Sequence, residues 1–371
     1  LAIFNRARLA LTLGVLIAAA FLLMGCGAPP VTGWSGATIA NQTIYIGGVA
    51  GKVYALPIGG GEAKWQFPKD PQQVIGAIYA TPILANDTVF VGAFDKKMYA
   101  LNAADGTEKW KPFEAGASIV SSAAVGGGAI YFGANDHKVY ALDAATGTKK
   151  WEPFVTGGQI WADLTFADGA LYVASLDHKL YVLDAATGAK KWEYDAGGII
   201  VTKPLVEQGI IYFAGLNKFF ALDIETRKLK WEKPFEASNW VWSNPTLANG
   251  IVYFGALDGN IYALDAQTGK LKWNSPFKAN DAVRSAIVIA NGIAFFGSDD
   301  FKAYAIDANT GALKWSRATN GRIVASPIVA DGVVYIPSHD RSLYALDAAD
   351  KSLKWSLDLG TGKPNTPAAS K

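Results

Sequence analysis

Eight tryptophans recur along this chain at close to one period: Trp65, Trp110, Trp151, Trp192, Trp231, Trp273, Trp315 and Trp355. Successive separations are 45, 41, 41, 39, 42, 42 and 40 residues. Each closes the same phrase, fullest from Ala141 to Trp151: Ala141-Leu142-Asp143-Ala144-Ala145-Thr146-Gly147-Thr148-Lys149-Lys150-Trp151. A repeat of about 40–45 residues holding four short strand patterns is the signature of a β-propeller blade. A four-stranded sheet of that size cannot bury both faces alone, and packing it between two neighbours in a ring solves the problem. The period therefore predicts an all-β chain, an eight-bladed β-propeller of four-stranded antiparallel blades.

Residues 162–194 show one repeat in detail. Ala162 to Ala167 read as strand A and Ala170 to Ser175 as strand B, joined by Asp168-Gly169. Such a two-residue hairpin needs positive φ at both positions, which Asp-Gly supplies cheaply. Leu180 to Asp184 read as strand C and Lys190 to Tyr194 as outer strand D, which carries the tryptophan. The turn signals recur in phase, with Asn249-Gly250, Asn291-Gly292 and Asp331-Gly332 between A and B. Thr146-Gly147, Thr187-Gly188, Thr268-Gly269 and Thr310-Gly311 lie between C and D. Each periodic indole offers roughly 200 Å² of mostly apolar surface and one N–H in need of a partner, which suits packing between blades.

The repeats fill nearly all of the 371 residues, so one toroidal domain is expected from 36 to 358, with 359–371 as a flexible tail. At the other end, Arg6 and Arg8 precede an uncharged apolar run of 15 residues, Leu9 to Leu23. That run is short for a membrane span and suits a signal peptide. It leads into Leu23-Met24-Gly25-Cys26, which resembles a bacterial lipobox. Residues 1–25 then read as a lipoprotein signal peptide, Cys26 as the lipidated residue and 26–35 as anchor and tether. Gly27 follows the cysteine, and it is not the Asp that retains such lipoproteins in the inner membrane. The expected location is the periplasmic side of the outer membrane in a two-membrane host, and otherwise the outer face of the cytoplasmic membrane.

The formal net charge is +2, and it falls to near zero once Arg6 and Arg8 are removed with the signal. No basic stripe is present, so the electrostatic attraction that drives nucleic-acid binding is missing. With one cysteine, neither an internal disulfide nor a cysteine zinc site can form. His137, His178 and His339 lie far apart in sequence, although all fall in B–C turns.

The phrase Ala-x-Asp-x-x-Thr-Gly-x-x-x-Trp resembles the tryptophan-docking motif of the pyrroloquinoline quinone (PQQ)-type propeller repeat. Ala141 to Trp151, Ala263 to Trp273 and Ala305 to Trp315 carry it whole. Four repeats depart from it, at Pro57 and Gly60, at Asn102 and Asp105, at Arg227, and at Asp350 and Lys351. Quinoprotein dehydrogenases share this repeat, and so do the BamB-type outer-membrane assembly lipoproteins. The first resemblance implies PQQ held under two adjacent cysteines with calcium nearby, and a single cysteine cannot form that pair. The second implies a non-catalytic scaffold that binds a protein of the β-barrel assembly machinery, and the layout favours it. No cofactor, metal or catalytic residue is expected, and the propeller is expected to be monomeric. A PQQ-dependent oxidoreductase is the alternative, followed by a surface sensor or carbohydrate-binding propeller.

Asp143, Asp184, Asp223, Asp265, Asp307 and Asp347 sit at the motif's Asp and are expected to bond nearby turn backbone. Asp95, Asp136, Asp177, Asp258, Asp299 and Asp340 mark B–C turns, as solvated turn acids. Gly59-Gly60-Gly61 and Gly126-Gly127-Gly128 fall at hairpins, outside the strand–loop–helix setting of a phosphate loop. One rim of the torus collects the A–B and C–D turns and the other the B–C turns and D–A linkers. The second rim carries Tyr79, Trp161, Trp240, Trp242, Arg284 and Arg322, of the residue types enriched at binding hot spots. It is the expected partner surface. Trp34, Trp161, Trp240 and Trp242 read as lying outside the tryptophan register.

Overall fold

Tight turns steer the chain as their residue types require. At Asp168-Gly169 φ is 48° and 71°, at Asn249-Gly250 50° and 72°, and at Asp331-Gly332 49° and 74°. These are the paired positive angles of a two-residue hairpin. The computed structural model describes residues 33–70 and 72–365. Cys26 and the segments read as signal peptide and tether lie outside the described residues, apart from 33–35 of the tether, as does the end of the tail. No helix among the described residues is long and apolar enough to cross a membrane.

The strands form eight antiparallel sheets in chain order, blades 1 to 8, spanning 37–67, 83–114, 124–155, 165–195, 205–236, 246–278, 288–318 and 328–364. Strands B and C are buried and made of aliphatic residues with an aromatic among them, as in Ala170–Ala174 and Lys179–Asp184. Strand A is three or four residues long and half-buried, facing the channel. In the blade read above, strand A shortens to Thr165–Ala167 and strand D runs on to Asp195.

Strand D departs from expectation in five blades. In blades 2, 3, 5 and 6 it contains two residues, such as Phe113–Glu114 and Phe154–Val155, and the tryptophan precedes it in irregular chain. Pro112, Pro153, Pro234 and Pro276 stand between tryptophan and strand, and Pro68 ends the three-residue strand D of blade 1. Proline has no N–H to give a ladder. Blades 4, 7 and 8 lack that proline, and their D strands run for six residues.

The periodic indoles dock between blades. Trp65 Nε1 donates to Ala103 O of the next blade at 2.9 Å, and Trp110, Trp151, Trp231, Trp273 and Trp315 repeat the bond to Ala144, Ala185, Ala266, Ala308 and Ala348 at 3.0–3.3 Å. A glycine of the next blade's C–D turn lies flat against most of these rings. A Cβ at Gly106, Gly147, Gly188, Gly269 or Gly311 would sit 2.5–2.9 Å from an indole carbon. Trp192 meets Arg227 instead, whose guanidinium lies 5.8 Å from the ring centroid while its backbone keeps the glycine-like φ of 58°.

Blade 1 uses only N-terminal strands and blade 8 only C-terminal ones, so among the described residues no sheet bridges the ring's closure. Side chains close it: Ile44, Ile46, Tyr54 and Leu56 pack on Tyr335, Leu343, Ala345 and Leu357, and Tyr335 Oη donates to Ile58 O at 3.2 Å. Trp355 covers Gly60. The expected free tail after 358 is also corrected, because Lys363–Pro364 adds a fifth strand to blade 8.

Candidate partner-binding rim

Each D–A linker places a buried Ile or Val at the same register: Ile78, Ile119, Ile160, Ile200, Val241, Val283 or Ile323, all essentially inaccessible. In most linkers a glycine of the preceding blade makes room for it. A Cβ at Gly92 would lie 2.3 Å from Ile119, at Gly133 2.2 Å from Ile160, and at Gly297 2.0 Å from Ile323. Extended chain alternates sides, so the residues flanking a buried anchor turn toward the rim and channel mouth.

Those flanks hold the non-periodic tryptophans in two further registers, which corrects their reading as strays. After the seven anchors stand Tyr79, Val120, Trp161, Val201, Trp242, Arg284 and Val324, and ahead of blade 1 Trp34 follows Gly33 at the same place. Before the anchors stand Ala77, Ser118, Gln159, Ile199, Trp240, Ala282 and Arg322. The carbonyl of each of this second set accepts a B–C turn N–H, in order from Phe94, Asn135, Leu176, Leu216, Leu257, Asp299 and His339, at 2.8–3.0 Å. Residue type varies within these registers, so no repeated residue marks them in the sequence. The readable signal was the small residue that follows, as in Ser121 and Ser285, whose hydroxyls bond Gly133 and Gly297 backbone at 2.8–3.1 Å.

Side chains from blades 6, 7, 8, 1 and 2 meet along this rim. The Arg284 guanidinium lies 5.2 Å from the Trp242 ring and pairs through Nε with Asp299 Oδ2 at 2.9 Å. Arg322 is exposed, on the linker beside His339. The His339 ring stacks on Trp34 at 5.6 Å, Trp34 meets Tyr79 edge-on at 4.5 Å, and Tyr79 meets Phe94 at 5.9 Å. Trp34 and Phe94 remain 39% and 46% exposed, leaving apolar area for a partner to cover. Packing around the imidazole lowers the pKa of His339, with Asp299 and Asp340 opposing and Arg322 and Arg284 adding to the effect. Elsewhere on the rim, Trp161 donates through Nε1 to Gln159 Oε1 at 3.0 Å. Trp240 is half-buried, with its N–H on Asn239 Oδ1 at 2.8 Å. The structure thus joins Tyr79, Trp242, Arg284 and Arg322 with Trp34, Phe94, Asp299 and His339 along one arc. Trp161, from blade 4, makes its own local contact.

The turn acids are corrected in two ways. Asp95, Asp136, Asp177, Asp258 and Asp340 accept from the hydroxyl of the tyrosine four residues on, Tyr99, Tyr140, Tyr181, Tyr262 and Tyr344, at 2.5–2.7 Å. Burial, then the bond to the carboxylate, pushes Tyr344 up to about 12. In blade 7 that acid is Asp300, which bonds Tyr304. Asp299 is instead 6% exposed, with Oδ1 lacking a partner among the described residues. His137 and His178 share a left-handed turn position, φ 67° and 76°, two residues beyond the place His339 takes in its own turn. On the opposite rim, Asp143 and Asp184 accept from the hydroxyl and amide of Thr146 and Thr187 at 2.9–3.1 Å, which lowers their pKa values.

Among the described residues, no three His, Cys, Asp or Glu side chains are placed to hold a metal. A small open pocket between Trp34, His339, Ser338 and Leu359 has room for about one water.

The family profile described as outer membrane protein assembly factor BamB matches residues 24–163, 155–287 and 277–371. The chain belongs to that family. The crystal structure of BamB from Moraxella catarrhalis is similar, with a TM-score of 0.68 at 19% identity over 82% of this chain and 93% of that one. The computationally designed Ika8 protein gives 0.70 at 16% identity, over 84% and 97%. A quinohemoprotein alcohol dehydrogenase from Pseudomonas putida gives 0.65 at 17%, over 85% and 70%. At such identities the three share the fold with this BamB-family chain. No curated protein matches its sequence.

Proposed function

We propose that this BamB-family propeller is a non-catalytic, lipid-anchored envelope scaffold. Its D–A/B–C rim holds a protein partner, a subunit of the machinery that assembles outer-membrane β-barrels. The observation that carries the reading is the arc from Trp242 through Arg284, Asp299, Arg322 and His339 to Trp34, Tyr79 and Phe94. Aromatic rings and guanidinium groups from five blades meet there, while the opposite rim is turn chemistry. Trp, Tyr and Arg are the side chains enriched at binding hot spots. The export signal and Cys26 would hold the ring at the periplasmic face of the outer membrane, or at the outer face of the cytoplasmic membrane in a one-membrane host.

The test is affinity capture from native membranes with the Trp34→Ala and Arg322→Ala double variant. Capture of the partner should fall at least tenfold while the unfolding midpoint stays close to wild type. Unchanged capture by the variant would count against the rim, and saturable binding of PQQ with calcium would count against the scaffold.

A further inference from the structure

The three six-residue D strands, Lys190–Asp195 in blade 4, Leu313–Ala318 in blade 7 and Leu353–Asp358 in blade 8, pair with strand C in one register. Each has its irregularity at the same place, after Val182, Ala305 and Ala345. Glu193, Ser316 and Ser356 are therefore equivalent. The N–H groups of Ala196, Thr319 and Leu359 point inward, to His178 O, Phe301 O and Arg341 O at 2.6–2.9 Å. Strand alternation then turns the backbone of Glu193, Ser316 and Ser356 outward, with that of Asp195.

What meets those outward groups differs from blade to blade. In blade 8 the Ser356 carbonyl accepts the Asn365 N–H at 2.9 Å, and the fifth strand runs on with Pro364 opposite Leu357 and Lys363 opposite Asp358. In blade 7 the Ser316 carbonyl accepts Lys351 Nζ at 3.1 Å. In blade 4 no group among the described residues caps the Glu193 carbonyl. Among the described residues one long edge is thus covered by a strand and a second blocked by Lys351, while on the third Arg227, at the place of Lys351, stacks on Trp192 and leaves the Glu193 carbonyl without a bond.

We propose that the D edge of blade 4 is a strand-addition site for an extended segment of a protein partner, with a basic residue opposite Asp195. The fifth strand of blade 8 is the template. Asp195 holds the place of Asp358, which faces Lys363. Asp195 is exposed and accepts from the Gly197 N–H at 2.7 Å, leaving lone pairs for a cation. Glu193 is already held by Lys179 and Lys190 at 2.5 and 2.8 Å, so a neutral residue suits the position across from it. Trp192, whose ring already carries the Arg227 guanidinium, and Tyr194, which packs on Phe213 and Phe220, are half-buried and present their remaining ring edges to apolar residues. Lys191 leans on Asp184 at 3.4 Å and favours an acidic residue four places along from the basic one. Main-chain bonds would supply affinity and these charges the direction. The site stands apart from the rim and does not depend on its role.

The probe is the labelled peptide Thr-Lys-Val-Thr-Val-Glu-Val-Thr, with blocked ends, against the full chain. Fluorescence anisotropy should show saturable binding, and hydrogen exchange should slow at the amides of Glu193 and Asp195. Glu193→Pro removes the outward N–H without breaking a bond to strand C and should weaken binding at least tenfold. Ser316→Pro, on the edge that is already blocked, should leave it unchanged. Interchanging Lys and Glu in the peptide should weaken binding several-fold, and Asp195→Lys should restore the interchanged peptide. Thermal unfolding of both proline variants checks that each folds. The proposal is overturned by no saturation at millimolar peptide, by equal binding to Glu193→Pro, or by slowed exchange at the rim instead. A dimer that Glu193→Pro abolishes, without peptide binding, would overturn it in favour of self-pairing.

Discussion

Gly188 and Gly169 belong to the same blade and have nearly the same backbone, φ 75° and 71°, yet different surroundings. A Cβ at Gly188 would lie 2.7 Å from Cδ2 and 2.8 Å from Cε3 of Trp151, whereas a Cβ at Gly169 meets nothing within 4 Å. Alanine at either site bears the left-handed backbone cost, about 1–2 kcal/mol. At Gly188 the methyl also displaces the indole or strains the turn, adding about 1–3 kcal/mol as overpacking does. Gly188→Ala should therefore cost about 2–5 kcal/mol and Gly169→Ala about 1–2 kcal/mol. Their difference isolates the docking contact from backbone strain. Guanidinium unfolding followed by tryptophan fluorescence, with midpoints compared at matched slopes, measures it. Equal losses at the two glycines would refute the claim that indoles held tightly against C–D turns join the blades.

Arg227→Gly relieves a left-handed non-glycine residue and gives up its stacking on Trp192, so stability should change by no more than about 1 kcal/mol, while Arg227→Ala should lose about 0.5–1 kcal/mol. Equilibrium unfolding of the two variants separates these terms. Asp143 and Asp184 titrate below their ordinary 3.8, so their stabilisation is complete above that pH and disappears as pH falls through the lowered values. In Asp184→Asn the slope of stability against pH should flatten below about pH 4, as acid titration of circular dichroism would show. Tyr54, Tyr140, Tyr253 and Tyr344 are raised from 10.0 to about 12, so the fold should be fully stabilised below pH 10 and lose that contribution from there to about pH 12. Tyrosinate absorbance should then rise together with loss of structure, and ionisation near pH 10 in an intact fold would contradict the assignment.

The architecture was legible because the docking indole keeps its identity in all eight repeats, and because Asp-Gly and Asn-Gly name their turn type locally. The length of strand D was missed, although its signal is local: a proline stands two or three residues after the indole in blades 1, 2, 3, 5 and 6 and is missing from blades 4, 7 and 8. The rim was harder to read. What persists there is geometry around a buried Ile or Val, and the flanking side chain is free to be Trp, Tyr, Val or Arg. Asp299 looked like a turn acid because it adjoins Asp300. Only the spatial approach of Arg284 from the preceding linker separates the buried carboxylate from the tyrosine-bonded one. The role of Arg227 depends on the neighbouring blade, which no local pattern contains.

Each blade is one unbroken stretch of chain, and the ends of the propeller meet across a seam sealed by Tyr54, Leu56, Tyr335 and Leu343. The ring therefore resembles a split washer. Joining its ends and cutting at any other D–A linker would move the gap without dividing a sheet. Gain or loss of one whole repeat would leave no orphaned strand, so a lineage of such chains can change its number of wedges by simple duplication or deletion.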